Sequence, residues 1–150
     1  MKAVSESTWT FQMIIFFILI FACFLTLVLN YNKAYTIKNR MLSIIEKYEG
    51  VTSTSADLIN DYIYNKGYTN TGKCPENWMG AITLDGEYEI SKSDSKYYYC
   101  FNRNYKNNLQ YYDIKVFFKF NLPVIGNIAN HEIDGTTKTF IGAEDQIEEY

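Results

Sequence analysis

The chain has one histidine, His131, among 150 residues, and its three cysteines make no C-x-x-C pair. No zinc site can be assembled from that inventory. No glycine-rich phosphate loop and no G-x-S-x-G elbow occurs, so two common nucleotide and hydrolase signatures are excluded. Its 14 Lys and Arg are scattered and outnumbered by 17 Asp and Glu, leaving a net charge of −3. Nucleic acid is therefore not an expected partner. Proline is nearly absent, with two in the chain and none before Gly50, so a helix can run through that region unbroken. Charge is missing altogether from residues 7–32.

That uncharged stretch sets the class of protein. Residues 11–29 are almost wholly apolar, and a helix needs about 20 such residues to cross a ~30 Å hydrocarbon layer. Trp9 and Tyr31 stand where the two water interfaces would be. A cleaved signal peptide has a shorter apolar region followed by small residues. Here the run exits into Asn30-Tyr31-Asn32-Lys33 without such a site, so a retained anchor is expected. Beyond it, Ala34, Ile37, Met41, Ile44, Ile45 and Tyr48 recur at steps of three and four, an amphipathic stripe on the same helix. The spacing predicts one helix over 9–49, stopped near Gly50.

The remainder reads as a small α+β domain. Thr54 with Asp57 predicts the start of a second helix that carries Leu58, Ile59, Tyr62 and Ile63 on one face and ends at Gly67. Asp85-Gly86 predicts a two-residue hairpin joining 81–84 to 87–90. A strand is expected over 96–102, a polar turn over 103–108, and a half-buried strand over 112–122, whose alternation only Phe117 breaks. Pro123 and Gly126 interrupt it, and a last strand follows over 130–141. The organisation is thus a short N-terminal segment (1–8), a transmembrane helix (9–31), its amphipathic continuation (32–50), a soluble domain (51–143) and an acidic tail (144–150) expected to fray. The expected fold is α+β, with a small antiparallel sheet packed on the long helix.

Few residues carry chemistry. His131 has Glu132 and Asp134 nearby, but strand spacing points Glu132 to the opposite face. Asp85 and Glu87 read as solvated turn charges. No catalytic, cofactor-binding or metal-ligating residue is assigned, and the expected role is not enzymatic. Cys23 falls within the span, whereas Cys74 and Cys100 form a disulfide candidate, bridged if the domain is exported and otherwise two thiols. Glu6 stands about one turn before the apolar run. Pairing with the α-amino group of a neighbouring chain would make it a candidate for setting subunit register. Of the small residues that let helices approach closely in lipid, the span offers Ala22, Cys23 and Thr26.

Three segments resemble the TadE-like minor pilins (pseudopilins) of bacterial tight-adherence pilus systems. They are Trp9-Thr10-Phe11 through Asn32, the amphipathic stretch 35–49, and Tyr112-Asp113-Ile114-Lys115-Val116-Phe117-Phe118-Lys119-Phe120 running into Leu122-Pro123-Val124-Ile125-Gly126. The resemblance implies a single-pass membrane subunit with an extracytoplasmic domain and a structural role in pilus or secretion assembly. Its implied partners are the lipid bilayer and other pilin-like subunits or envelope assembly proteins, with homo-oligomers formed through the N-terminal helix. The basic leader of processed pilins has no counterpart here, and Glu6 falls fifth only if the mature chain starts at Lys2. Lys33, Lys38, Arg40 and Lys47 outnumber Lys2 across the span, a bias toward a cytoplasmic domain. Two other readings stand beside this one. The first is a membrane-tethered binding module with Tyr97, Tyr98, Tyr99, Tyr111 and Tyr112 as an aromatic platform. The second is a non-polymerising scaffold of an envelope complex.

Overall fold

The computed structural model describes residues 2–122, 126–143 and 147, with side chains for 8–119, 131–143 and 147. Helix α1 (Lys2–Lys47) is continuous. It begins before the expected Trp9 and stops two residues before Glu49. Glu49 adopts the left-handed conformation (φ 51°), and the Gly50 N–H donates to the Ile45 carbonyl at 3.0 Å. That reversed bond closes the helix end. Helix α2 (Ser53–Asn65) starts earlier than expected, because its cap is Thr52 and not Thr54. Thr52 Oγ1 accepts from the Ser55 N–H at 3.2 Å, and Ser55 Oγ accepts from the Thr52 N–H at 2.8 Å. Serine thus plays the part usually given to Glu or Gln in a capping box. Ile59 and Ile63 are buried, Tyr62 is partly so, and Leu58 faces solvent in contrast to its expected place on the apolar face.

Five antiparallel strands follow: β1 (Met79–Ala81), β2 (Tyr88–Ile90), β3 (Tyr99–Lys106), β4 (Leu109–Leu122) and β5 (Gly126–Thr136), ordered β2-β1-β3-β4-β5. The β1–β2 hairpin forms, but Ala81 pairs with Tyr88, so six residues loop out where two were expected. Ile82 and Leu84 are drawn to apolar clusters on either side and widen the turn. The expected polar turn over 103–108 shrinks to Asn107-Asn108. Both have positive φ (53° and 62°), as a two-residue type I′ turn requires, and residues 103–106 stay in β3. The last strand starts before 130 and ends at Thr136; Phe140 adds only an isolated bridge to Gln110. Pro123 lies outside the described residues. So does the acidic tail apart from Ile147, which packs on the core and donates its N–H to the Val51 carbonyl at 2.8 Å.

The core lies between α1 and one sheet face. Ala34, Ile37, Met41, Ile44 and Ile45 meet Tyr99, Phe101, Tyr112, Ile114, Val116 and Phe118, with Ile59 and Ile63 of α2 closing one side. Cutting a buried Ile of this set to Ala costs about 2–5 kcal/mol. Phe117, the residue that breaks the alternation of β4, points to the other face. There it joins a second cluster with Tyr97 and Cys100. The break therefore marks a covered outer face.

Candidate functional site

Two surfaces have features beyond packing. The first is the N-terminal half of α1. Trp9, Phe17, Phe21 and Leu29 are 66%, 71%, 63% and 68% exposed, an apolar surface of a kind that water-soluble monomers rarely present. The helix is long and apolar enough to cross a membrane. Thr26 Oγ1 donates to the Ala22 carbonyl at 3.0 Å, so this polar side chain is satisfied within the helix. Glu6 lies in α1, and its side chain is outside the described residues. Cys23 is half-buried and carries a free thiol.

The second surface is the outer face of the sheet. Cys74 and Cys100 are joined by a disulfide with Cα atoms 5.7 Å apart. It ties the segment after α2 to β3. Around it, Tyr97 and Phe117 are buried and Trp78 partly so. Gly72 and Gly80 pass directly beneath the Phe117 and Tyr97 rings, where an added Cβ would fall 2.2 Å from ring carbons. Gly72 pairs with Tyr97 by two backbone bonds of 2.9 and 2.8 Å. Beyond the end of β3, the Tyr68 hydroxyl bonds both the N–H (2.9 Å) and the carbonyl of Phe117. Burial pushes that hydroxyl well above the usual tyrosine range, against the lowering effect of its bond to the Phe117 backbone.

The tyrosines do not make a platform. Tyr97, Tyr99 and Tyr112 are buried, and Tyr98 and Tyr111 are half-covered. Tyr99 and Tyr88 instead form a closed polar triangle with Asn60. Tyr99 Oη donates to Asn60 Oδ1 (2.8 Å), the two hydroxyls lie 2.8 Å apart, and Asn60 Nδ2 donates to Tyr88 Oη (3.2 Å). Desolvation raises both hydroxyl pKa values. A bend at Tyr98 divides the run: Tyr97 packs in the outer cluster, whereas Tyr98, Tyr99 and Tyr112 pack on the helix side, and both faces are covered.

His131 and Glu132 take opposite faces of β5, although both reach the rim of one groove. His131 stacks on Phe118 on the helix side of the sheet, with centroids 5.5 Å apart. Glu132 and Asp134 lie across from it and hold Lys115 Nζ at 2.6 and 3.0 Å. Burial works against the Lys115 charge, but the two carboxylates outweigh it and raise its pKa. Trp78 lies 5.7 Å from the same ammonium.

A groove of about 420 Å³ opens at the end of this face, lined by Thr71, Gly72, Lys73, Lys96, Phe117, Lys119, His131 and Glu132. Lys115 is bonded to Glu132, the one acidic residue of the lining. Among the described residues, no ion pair engages Lys73, Lys96 or Lys119. The groove is therefore cationic. Sequence reading missed it because the three lysines come from separate loops and a strand; only the fold gathers them. No family model, curated protein or solved structure matches this chain.

Proposed function

We propose that this chain is a single-pass, membrane-anchored, pilin-like subunit of a bacterial pilus or secretion assembly, with a structural role and no turnover. One observation carries the reading. A single unbroken helix is bare and apolar over its first half and sunk into a small antiparallel sheet over its second. Such a subunit would be held in lipid by one end of a rod whose other end is the spine of its head. The disulfide supports an extracytoplasmic head, since such bonds persist in oxidising compartments. The opposing lysine bias weakens as a guide once a folded domain follows the span, because long domains translocate largely regardless of charge. The tethered-module reading loses its tyrosine platform.

The test is cysteine crosslinking in intact cells, with Glu6→Cys in a Cys23→Ser background. Ladders of self-multimers support a polymerising subunit. A single adduct to a different protein supports the scaffold reading, and a bare monomer supports the tethered module. A membrane-impermeant thiol reagent, applied before and after reduction, reads topology in the same cells. Cys74 and Cys100 should label only after reduction, and without lysis.

A further inference from the structure

The lysines of the outer-face groove project from backbone that is fixed on both sides. Lys73 lies between Gly72, pinned beneath the Phe117 ring, and Cys74, bonded to Cys100. Lys96 precedes Tyr97, which is fully buried and exchanges two backbone bonds with Gly72. That antiparallel bridge sets Lys73 opposite Lys96 in the next register position, and both are exposed. Lys119 joins them from β4, two residues beyond Phe117, with its carbonyl accepting from Asn30 Nδ2 at 3.4 Å. Like charges set across from one another destabilise a strand pair, and here the fold gathers three. The acid that could neutralise them is engaged elsewhere. Lys115 Nζ holds Glu132 at 2.6 Å and Asp134 at 3.0 Å. No ion pair among the described residues offsets Lys73, Lys96 or Lys119.

Such a cluster is unfavourable until an anion enters it. We propose that the groove is a binding site for a phosphate monoester, held by the ammonium groups of Lys73, Lys96 and Lys119. The charge balance selects the class. A single carboxylate would leave most of the positive charge unmatched. A phosphate monoester brings about 1.5–2 negative charges at pH 7, with several oxygens that accept from separate ammonium groups at once. Lysine suits that task, as a compact point charge with rotatable donors on a flexible stem. The Thr71 hydroxyl adds a neutral donor to the lining. At about 420 Å³ the groove is larger than one phosphate needs. It falls within the ~300–1,000 Å³ of small-molecule sites, so the organic part of the ester has room beside Phe117. The backbone that carries the lysines is fixed before the ligand arrives, which lowers the ordering cost of binding. The groove belongs to the head alone, so the inference needs neither the anchor nor assembly. The ester comes either from solution or from a lipid headgroup, and the experiment separates the two.

The experiment uses the full chain, with its disulfide intact, in non-ionic detergent micelles. Backbone amides are followed by nuclear magnetic resonance. Glycerol 3-phosphate is the probe, titrated against sodium acetate at matched ionic strength. The expected result is saturable shifts at Gly72, Lys73 and Lys96 with the phosphate, none with acetate, and none at Asn107 in the far turn. Changing each groove lysine to Gln should weaken binding about tenfold, as loss of a hydrogen bond to a charged group does. K73Q/K96Q/K119Q should abolish it, and the single changes carry the test should that variant not fold. K47Q/K106Q/K138Q removes the same charge outside the groove and should bind as the parent does. Nanodiscs of phosphatidylcholine, with and without phosphatidic acid, then read the source. Saturation by glycerol 3-phosphate assigns a soluble ester, and a response to phosphatidic acid alone assigns a headgroup; both support the site. Equal shifts with acetate, or equal losses in the two triple variants, mean a diffuse positive surface and overturn it. So does silence at all three amides with either source. Groove shifts that grow with protein concentration in the absence of phosphate mean that the acids of a second copy fill the groove, which overturns the ligand assignment.

Discussion

Opening the Cys74–Cys100 disulfide is the perturbation with the best-defined cost. The bridge spans 26 positions, and the chain-entropy relation for a loop of that size gives about 3.5 kcal/mol at 25 °C. Cys100 is fully buried against Tyr97 and Phe117, and its reduced thiol remains a small apolar group in the same space. Packing loss on reduction is therefore minor beside the entropy. For a folded head of roughly 100 residues, each kcal/mol moves Tm by roughly 4–8 °C, so reduction should lower the head's melting point by roughly 14–28 °C. The assay is thermal unfolding of the full chain in detergent micelles, followed by near-ultraviolet circular dichroism, oxidised against reduced and held in excess reductant. Replacing both cysteines by serine should cost more still, because a hydroxyl would enter the apolar cluster at position 100. A reduced protein that melts within a few degrees of the oxidised one would refute the assignment of this bond as the staple of the outer face.

Two further outcomes follow from the same packing. Gly80→Ala sets a methyl 2.2 Å from the buried Tyr97 ring; the overpacking should cost about 1–3 kcal/mol, seen as a lower midpoint in chemical denaturation, and an unchanged midpoint would contradict the close approach. Burial lifts the Tyr99 and Tyr88 hydroxyls above the value of 10.0 that they have in the unfolded chain, so the folded state keeps protons that the unfolded state releases. Stability from this source is whole below about pH 10 and falls as pH rises above it; tyrosinate absorbance should develop in two steps, the second coincident with unfolding, and a single step near 10 with the fold intact would count against it.

Much of the architecture was legible because periodicity reports burial directly. The stripe Ala34, Ile37, Met41 and Ile45 is buried as its spacing requires, and Tyr112, Ile114, Val116 and Phe118 face it as alternation requires. Element ends were less legible, since single side chains decide them. Ser55 moves a cap from Thr54 to Thr52, and Asn107-Asn108 completes a turn that composition spread over six residues. The outer face was least legible. Gly72 with Cys74, Tyr97 with Cys100, and Phe117 come from three separate stretches of the chain with no period linking them. The one local hint was Phe117, a large apolar residue on the polar side of a strand, which makes sense only when something covers that side.

The covered face of α1 also limits how anchors could meet. Cys23, Thr26, Asn30, Ala34, Ile37 and Met41 follow one another at steps of three and four, so the seam that seats the head runs on into the upper part of the span. Two of the three small residues that could let helices approach in lipid, Cys23 and Thr26, are only partly exposed. A neighbouring helix finds instead the bulky surface of Phe16, Phe17, Phe21 and Phe24, which holds helix axes apart, since close approach in lipid depends on small residues. In a pilin-like assembly, close packing between subunits would therefore fall at Ala22 or toward the N-terminal turns, where the aromatic side chains thin out and where Glu6 stands. With no proline before Gly50 and a helix unbroken from Lys2 to Lys47, any such contact fixes the orientation of the head as well, because no hinge intervenes between the two.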